Sequence, residues 1–320
     1  MRSAKLADDP SNLILLCRNC HRKVDDSPDE YPVSLIQKWK FRHENQVLKA
    51  ASLTRGMELL PVIIRSAHIG SAPNPIHPDE AIEALVANGY SCAIDPVEIL
   101  LDNTVTPSND PMYWNLQVTN IRNQLQMLRN LQRRQHSSTP LAVFPRAEMP
   151  MLMAIGHALG NKGQHEVFQF NRHKKNWLFE DSLERPDFQV SFPSEVKSDS
   201  DIALTLELTA PIDESRVGAV IGEDIPIVRF SVDKPSPNIV SHPEVIEEFG
   251  LRIQDCLSQI ESSIKRSSTI HLFPAMPASL AFVFGTLIQP KASNNFSIFD
   301  ARGDDAQFHP AITLPRTELV

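Results

Sequence analysis

A chain of 320 residues, 42% hydrophobic and 22% charged, can bury a sizeable core and fold as two or three compact units. Its net charge of -8 excludes a protein that wraps nucleic acid with its whole surface, so any DNA contact must be local. The apolar runs fall short of the about 20 residues a membrane helix needs, and the start carries Arg2, Lys5, Asp8 and Asp9. The expectation is a cytoplasmic chain with no signal peptide and no membrane partner.

Charge is unevenly spread. Residues 1–50 hold nine Lys/Arg against seven Asp/Glu, a balance of +2, which leaves -10 for the remainder. Cys17 and Cys20 stand at metal-ligand spacing, whereas Cys92 and Cys256 are isolated in apolar or helical stretches. That usage points to reduced thiols, with Cys92 and Cys256 packing as small hydrophobes.

In chain order, residues 12–16 read as a short strand leading into Cys17, Arg18, Asn19, Cys20 and His21. Tyr31 and Pro32 open a helix in which Val33, Ile36, Trp39 and Lys40 fall at helical spacing. Residues 59–64 read as a strand, followed by a loop with Pro73, Pro75 and Pro78 and a helix beginning at Asp79. Trp114, Val118, Ile121, Leu125 and Leu128 mark one apolar helix stripe. The stretch 111–147 has no acidic residue and carries Arg122, Arg129, Arg133, Arg134 and Arg146. It suits a solvated helix face, or a contact surface for DNA, a ligand or a neighbouring subunit.

From residue 141 onward strands alternate with helices. Residues 141–144, 166–170, 202–209, 225–232, 270–273 and 296–299 read as strands. Ile246, Phe249, Ile253, Leu257, Ile260 and Ile264 mark an amphipathic helix with Pro243 in its first turn and Lys265 and Arg266 in its last. The alternation argues an α/β domain with a mainly parallel sheet.

A repeat underlies this. Leu141, Ala142, Val143, Phe144, Pro145 and Ile270, His271, Leu272, Phe273, Pro274 lie 129 residues apart. At the same offset Gly156 matches Gly285, Phe170 matches Phe299, and Asn171 matches Asp300. Each copy reads as strand, Phe-Pro turn, helix and second strand, a structural duplication. Ligands of parallel sheets sit beyond the carboxyl ends of the strands, where helix N-termini attract anions. Two facing copies fit a compact, nearly two-fold anion such as a cyclic di- or oligonucleotide.

Phe144, Pro145, Arg146, Ala147, and the run Ile270 to Pro277 with Ala281 and Gly285, resemble the two signature stretches of SAVED domains. These are fusions of two CARF-like (Rossmann-like) subdomains found in bacterial antiphage signalling (CBASS) systems. The resemblance spans about residues 55–320. It implies a cyclic oligonucleotide ligand made by a partner nucleotidyltransferase, and head-to-tail homo-oligomerisation that switches on a fused effector.

Asn12, Leu13, Ile14, Leu15, Leu16, Cys17, Arg18, Asn19, Cys20, His21, Arg22, Lys23, Val24 and Asp25 are similar to the second half of an HNH nuclease finger. Tyr31, Pro32, Trp39, Lys40, His43 and Glu44 fit the trailing helix of that family. The two parts together look like the HNH–SAVED effector endonucleases. The resemblance gives Asn12 as the residue that positions a catalytic histidine and His21 as ligand of a divalent catalytic ion, magnesium by expectation, acting on double-stranded DNA. Cys17 and Cys20 match half of a structural zinc site. The family's general-base histidine and second ligand pair belong before Asn12, yet residues 1–11 contain no His or Cys. The expected explanation is a chain that starts late at Met1, and a finger that cannot cut alone. Asp8 and Asp9 sit where the family has loop, and His68 with Ile69 goes to the SAVED side.

For the ligand, Arg146 follows the first Phe-Pro turn beside Phe144 and suits a phosphate or base edge. Arg172, Lys174 and Trp177 belong to a cationic loop that could attract phosphate and stack a base. Pro274 and Met276 occupy the matching second turn and offer apolar contact. Lys197, Thr209 and Lys291 are further candidates. The first copy is thus cationic and the second apolar, which predicts one ligand orientation. The expected fold class is α/β, with a partial ββα-metal (HNH) finger over 1–50 and a SAVED sensor over 51–320. The competing readings are a sensor whose degenerate finger only assembles or recruits, and a nucleotide-using α/β enzyme. No Gly-rich phosphate loop, nucleophile elbow or paired-carboxylate site supports the last.

Overall fold

The computed structural model describes residues 13–40, 43, 57–66, 68–69, 72–73, 77–101, 111–134, 139–161, 163, 165–180, 185–301 and 307–319. The chain divides into two compact units, Met1–Met57 with Gly89–Ser91, and Glu58–Asn88 with Cys92–Val320.

In the first unit, residues 13–17 are extended without strand pairing among the described residues, so the strand expected over 12–16 is not seen there. Leu15 is fully exposed. Helix α1 (Arg18–Asp26) follows, and none of its residues is buried. Residues 33–40 are helical, as the periodicity predicts. Tyr31 and Trp39 meet edge to face at 5.5 Å.

Two sheets form from residue 58 onward. The first contains β1 (Glu58–Arg65), β4 (Ser91–Cys92), β5 (Val97–Leu100), β6 (Leu141–Arg146) and β7 (His165–Val167), in the order β4-β1-β6-β7 with β5 also on β1. A two-residue pair, β2 (His68–Ile69) and β3 (Ala72–Pro73), stands apart. The second sheet contains β8 (Phe188–Ser191), β9 (Ile202–Glu207), β10 (Ile227–Val232), β11 (Thr269–Ala275), β12 (Asn295–Ala301) and β13 (Phe308–Leu314), in the order β13-β12-β11-β9-β10-β8. Its four inner strands are parallel, with antiparallel strands at both edges. The central strands β1 and β9 are almost entirely buried, which is why both read as unbroken apolar runs instead of alternating ones.

The helices are α2 (Pro78–Ala87), α3 (Pro111–Arg134), α4 (Met149–Leu159), α5 (Glu214–Ile221), α6 (Pro243–Ser263) and α7 (Ala278–Leu287). Helix α6 ends at Ser263, so Lys265 and Arg266 lie beyond its last turn. Two full copies emerge. One runs β1-α2-β5-α3-β6-α4-β7 and the other β9-α5-β10-α6-β11-α7-β12. Each has strand order second-first-third-fourth, so each has a topological switch point, between β1 and β6 and between β9 and β11.

Helices α4 and α7 join the copies. A Cβ on Gly156 would lie 2.2 Å from Phe282 O, and a Cβ on Gly285 would lie 2.2 Å from Met153 O. Glycine with glycine, and Met153 with Phe282, share the 129-residue offset, so the crossing is reciprocal. Only glycine permits backbones to approach this closely. The buried His157 reinforces the junction: its Nδ1 bonds Ile288 O at 2.8 Å, and its Nε2 accepts from Arg316 N at 3.1 Å.

The offset does not extend to the next strand. Val143 pairs with Val167 in one sheet, and Leu272 with Ile298 in the other. The stacked pair Phe144–Phe168 (4.5 Å) therefore answers the stacked pair Phe273–Phe299 (4.6 Å). The counterpart of Phe299 is Phe168, not Phe170, and that of Asp300 is Gln169, not Asn171. The second copy carries two more residues between helix and strand, where a surface loop absorbs insertions at little cost.

Candidate functional site at the carboxyl edges of the two sheets

The carboxyl edges of the two copies meet. Gln169 lies just beyond β7 in the first copy, and Ser279 stands in the first turn of α7, just beyond β11 in the second. Both the amide and the hydroxyl of Ser279 donate to Gln169 Oε1, at 3.1 and 2.7 Å, and both residues are buried. The carboxyl end of the first copy's fourth strand thus meets the carboxyl end of the second copy's third strand.

On the first copy, Arg146 ends β6. Its guanidinium carbon lies 3.8 Å from the centre of the Phe170 ring, a cation–π contact that orients the planar head. Burial lowers its basicity; Glu80 opposes that effect and Arg172 adds to it. An arginine keeps its charge through such shifts. Beside it, Glu148 accepts from the Ser66 hydroxyl through Oε2 and from the Tyr113 hydroxyl through Oε1 at 2.8 Å. Sequence reasoning missed this cluster of one carboxylate and two hydroxyls, since Ser66, Tyr113 and Glu148 come from three separated elements.

The cationic loop after β7 is a tight turn. Asn171 Oδ1 accepts from the His173 and Lys174 amides, both at 3.0 Å, and Asn171 bridges to Asn176. The turn exposes Arg172 and Lys174. Lys174 pairs with Glu180 at 2.9 Å, and this bond and charge hold the Glu180 carboxyl below its ordinary range. Trp177 corrects the expected stacking platform. It is 1% exposed and makes edge contacts with Phe144 and Phe170 at 5.3 and 5.2 Å. Phe144 is fully buried too. Both rings support the loop from within, because the apolar side of the turn must pack somewhere.

On the second copy, Pro274 and Met276 are buried at the end of β11. The strand expected to reach Thr209 ends at Glu207. Thr209 is half-buried beyond it, and its amide donates to Ala275 O at 2.8 Å. Glu207 is 4% exposed, bonded to the Thr205 hydroxyl at 2.9 Å and to Arg229 Nη1 at 3.0 Å. Arg229 also reaches Glu214 at 2.7 Å.

Two expected lysines sit elsewhere. Lys197 precedes β9 and Lys291 precedes β12, both exposed. In parallel sheets such loops lie at the amino edge, opposite the carboxyl ends. Neither belongs to this face.

In the N-terminal unit, Cys17 caps α1, and Cys20 and His21 lie in its first turns. Both cysteines are exposed. The Cys20 and Asn19 amides and the Cys20 thiol lower the Cys17 thiol below its ordinary value, and that shared hydrogen bond raises Cys20. His21 Nδ1 lies 2.8 Å from Asp25 Oδ2, one helical turn away. The pair is exposed, and Asp25 engages the Nδ1 edge of the ring. Asn12, Asp8 and Asp9 lie outside the described residues. Among the described residues no group of three or more His, Cys, Asp or Glu converges, so zinc would need donors beyond Cys17 and Cys20. Among the described residues no helix is long and apolar enough to cross a membrane.

Comparison with known families agrees with this anatomy. Residues 123–314 match the SAVED family, described as SMODS-associated and fused to various effectors sensor domain. Residues 2–27 match the HNH endonuclease family. No curated protein sequence matches the chain. Among solved structures the chain is similar to the Cap4 SAVED/CARF-domain containing receptor of Acinetobacter baumannii with the cyclic trinucleotide 3'3'3'-cAAA. The identity there is 12% over 98% of this chain and 66% of that one, with TM-score 0.47. The same receptor with 2'3'3'-cAAA gives 13%, 98%, 65% and 0.48. The Moraxella osloensis Cap4 receptor gives 12%, 94%, 61% and 0.47. The chain spans less than two thirds of the length of these receptors. The matched family covers more than half of the chain: it belongs to the SAVED family, with an HNH match preceding the sensor region.

Proposed function

We propose that this SAVED-family chain senses a cyclic oligonucleotide, a cyclic dinucleotide in the first instance, and that the ligand drives homo-oligomerisation which activates its HNH finger as a DNA endonuclease in antiphage defence. The observation that supports this reading is the Gln169–Ser279 junction, which joins the carboxyl ends of β7 in one copy and β11 in the other. A ligand with two phosphates would then meet Arg146 and Arg172 on one side. Thr209 would lie on the other, with Pro274 and Met276 shaping its floor. Residues 1–50 serve as the finger and 51–320 as the sensor.

In the finger, Cys17 and Cys20 would hold zinc with two further donors, and His21 would offer Nε2 to a divalent ion such as magnesium. Such an ion offsets charge on the scissile phosphate and the leaving oxygen. Asp25 holds the His21 ring, and Asn12 remains the candidate for positioning a general base. A second reading is a sensor whose finger only assembles or recruits.

Titration calorimetry with cyclic di- and trinucleotides tests the sensor. One member of the panel should bind, and Arg146→Ala should weaken it about tenfold, the range of one charge-assisted contact. Silence across the panel would sink the reading. Plasmid cleavage that needs both that nucleotide and magnesium supports the nuclease. Ligand-driven assembly without cleavage supports the second reading.

A further inference from the structure

Helix α3 presents a face that neither the ligand site nor the finger uses. Arg122, Gln126, Arg129, Asn130 and Arg133 line one shallow concavity together with Glu318. We propose that this face is a contact for the sugar-phosphate backbone of duplex DNA, a proposal that rests on the nuclease reading.

Composition makes the first argument. The chain carries a net -8, yet 111–147 has no acidic residue. Spacing makes the second: intervals of seven and four residues put the three arginines on one side of a 3.6-residue helix, with two amides between them. From 122 to 133 the helix advances about 16 Å, the rise of about five base pairs. The third argument is that these charges are not neutralised. Among the described residues neither Arg122 nor Arg133 has a hydrogen-bond or ion-pair partner. Arg129 donates to two carbonyls, Ala158 O at 2.9 Å and Leu319 O at 3.1 Å, which anchor it without cancelling its charge. The one carboxylate in the concavity, Glu318, is taken by Arg316 at 3.2 Å. Guanidinium forks match phosphate oxygens, and side-chain amides donate to them as well.

The test is DNA binding by the full chain, followed by fluorescence anisotropy of a labelled duplex across a salt series. The Arg122→Ala/Arg133→Ala double variant spares the anchored Arg129. It should bind roughly tenfold more weakly at low salt and reduce the slope of log affinity against log salt by about two. Its melting temperature and its calorimetric response to the cyclic-nucleotide panel should not change. A Cys17→Ser/Cys20→Ser variant separates this proposal from the nuclease reading. If that variant loses DNA while the arginine variant keeps both affinity and slope, the finger stands and this face is no DNA contact. If the arginine variant alone weakens binding, the face stands and the finger reading falls. A shift of the DNA-free arginine variant to smaller species in sedimentation would assign the face to a second copy of the chain and overturn the proposal.

Discussion

The two copies share a frame and differ in charge. Strand register aligns Arg65 with Glu207, and Glu98 with Arg229. In the first copy the Arg65 guanidinium bonds Glu98 at 2.9 Å; in the second, Arg229 bonds Glu207 at 3.0 Å. The same ion pair is present with its poles exchanged. At the last residue of the third strand the difference continues, with Arg146 in one copy and Ala275 in the other. Fold constrains where a pair can sit, and leaves open which strand carries which sign. A duplicated frame can therefore present two unlike halves to a single ligand.

The largest effect should come from what the copies have in common. Gly156→Ala and Gly285→Ala each force a Cβ against a backbone carbonyl, and each should cost about 3 kcal/mol in chemical denaturation. Equal losses confirm a reciprocal crossing; a tolerant position on either side breaks the comparison.

The exchanged pair should be unequal in cost. The Glu207 side chain is buried, so Arg229→Met strands a buried carboxylate and should cost about 2 kcal/mol. Arg65→Met acts on a pair exposed by 24% and 36%, and should cost under about 1 kcal/mol. Urea midpoints for the two variants measure the difference, and matching values would remove it.

The smallest effect separates the first helices. The Asp213 carboxylate accepts from Ser215 N at 2.8 Å at the start of α5, and bonds from Ser215 hold it below the usual carboxylate range. Helix α2 begins after His77 with no such side-chain bond. A depressed folded value means the contribution is complete above the ordinary carboxylate range and is lost as pH falls through the folded value. Melting curves between neutral and acid pH should show a shallower acid decline for Asp213→Asn than for wild type.

Much of the frame was legible in the sequence because apolar runs and punctuation carry it. The strands read from 59, 141, 202, 225 and 270, and the helices read from 79, 114 and 243, follow from period and proline placement, with ends shifted by up to three residues in the structure. The glycine pair was visible as a match at fixed offset, though not as a contact. Strands β5, β8 and β13 and helix α5 were missed, being short or having mixed burial. The first strands escaped the repeat because their loops differ in length, so no single offset aligns them. In the site, Arg146 and the Asn171 turn were readable from residue type. The burial of Trp177 and Phe144 was not, because an aromatic beside a loop reads alike whether it faces solvent or core. Lys197 and Lys291 failed for a topological reason: only the sheet assigns a loop to its amino or carboxyl edge.

The glycine crossing carries an evolutionary consequence. Each copy supplies both the gap and the carbonyl that fills the other's gap, so a change at one position is felt at the other. Substitution can recast the charges at the two carboxyl edges independently, whereas the seam stays common property. The two halves are free to differ in the charge they carry only because they are not free to differ where they touch.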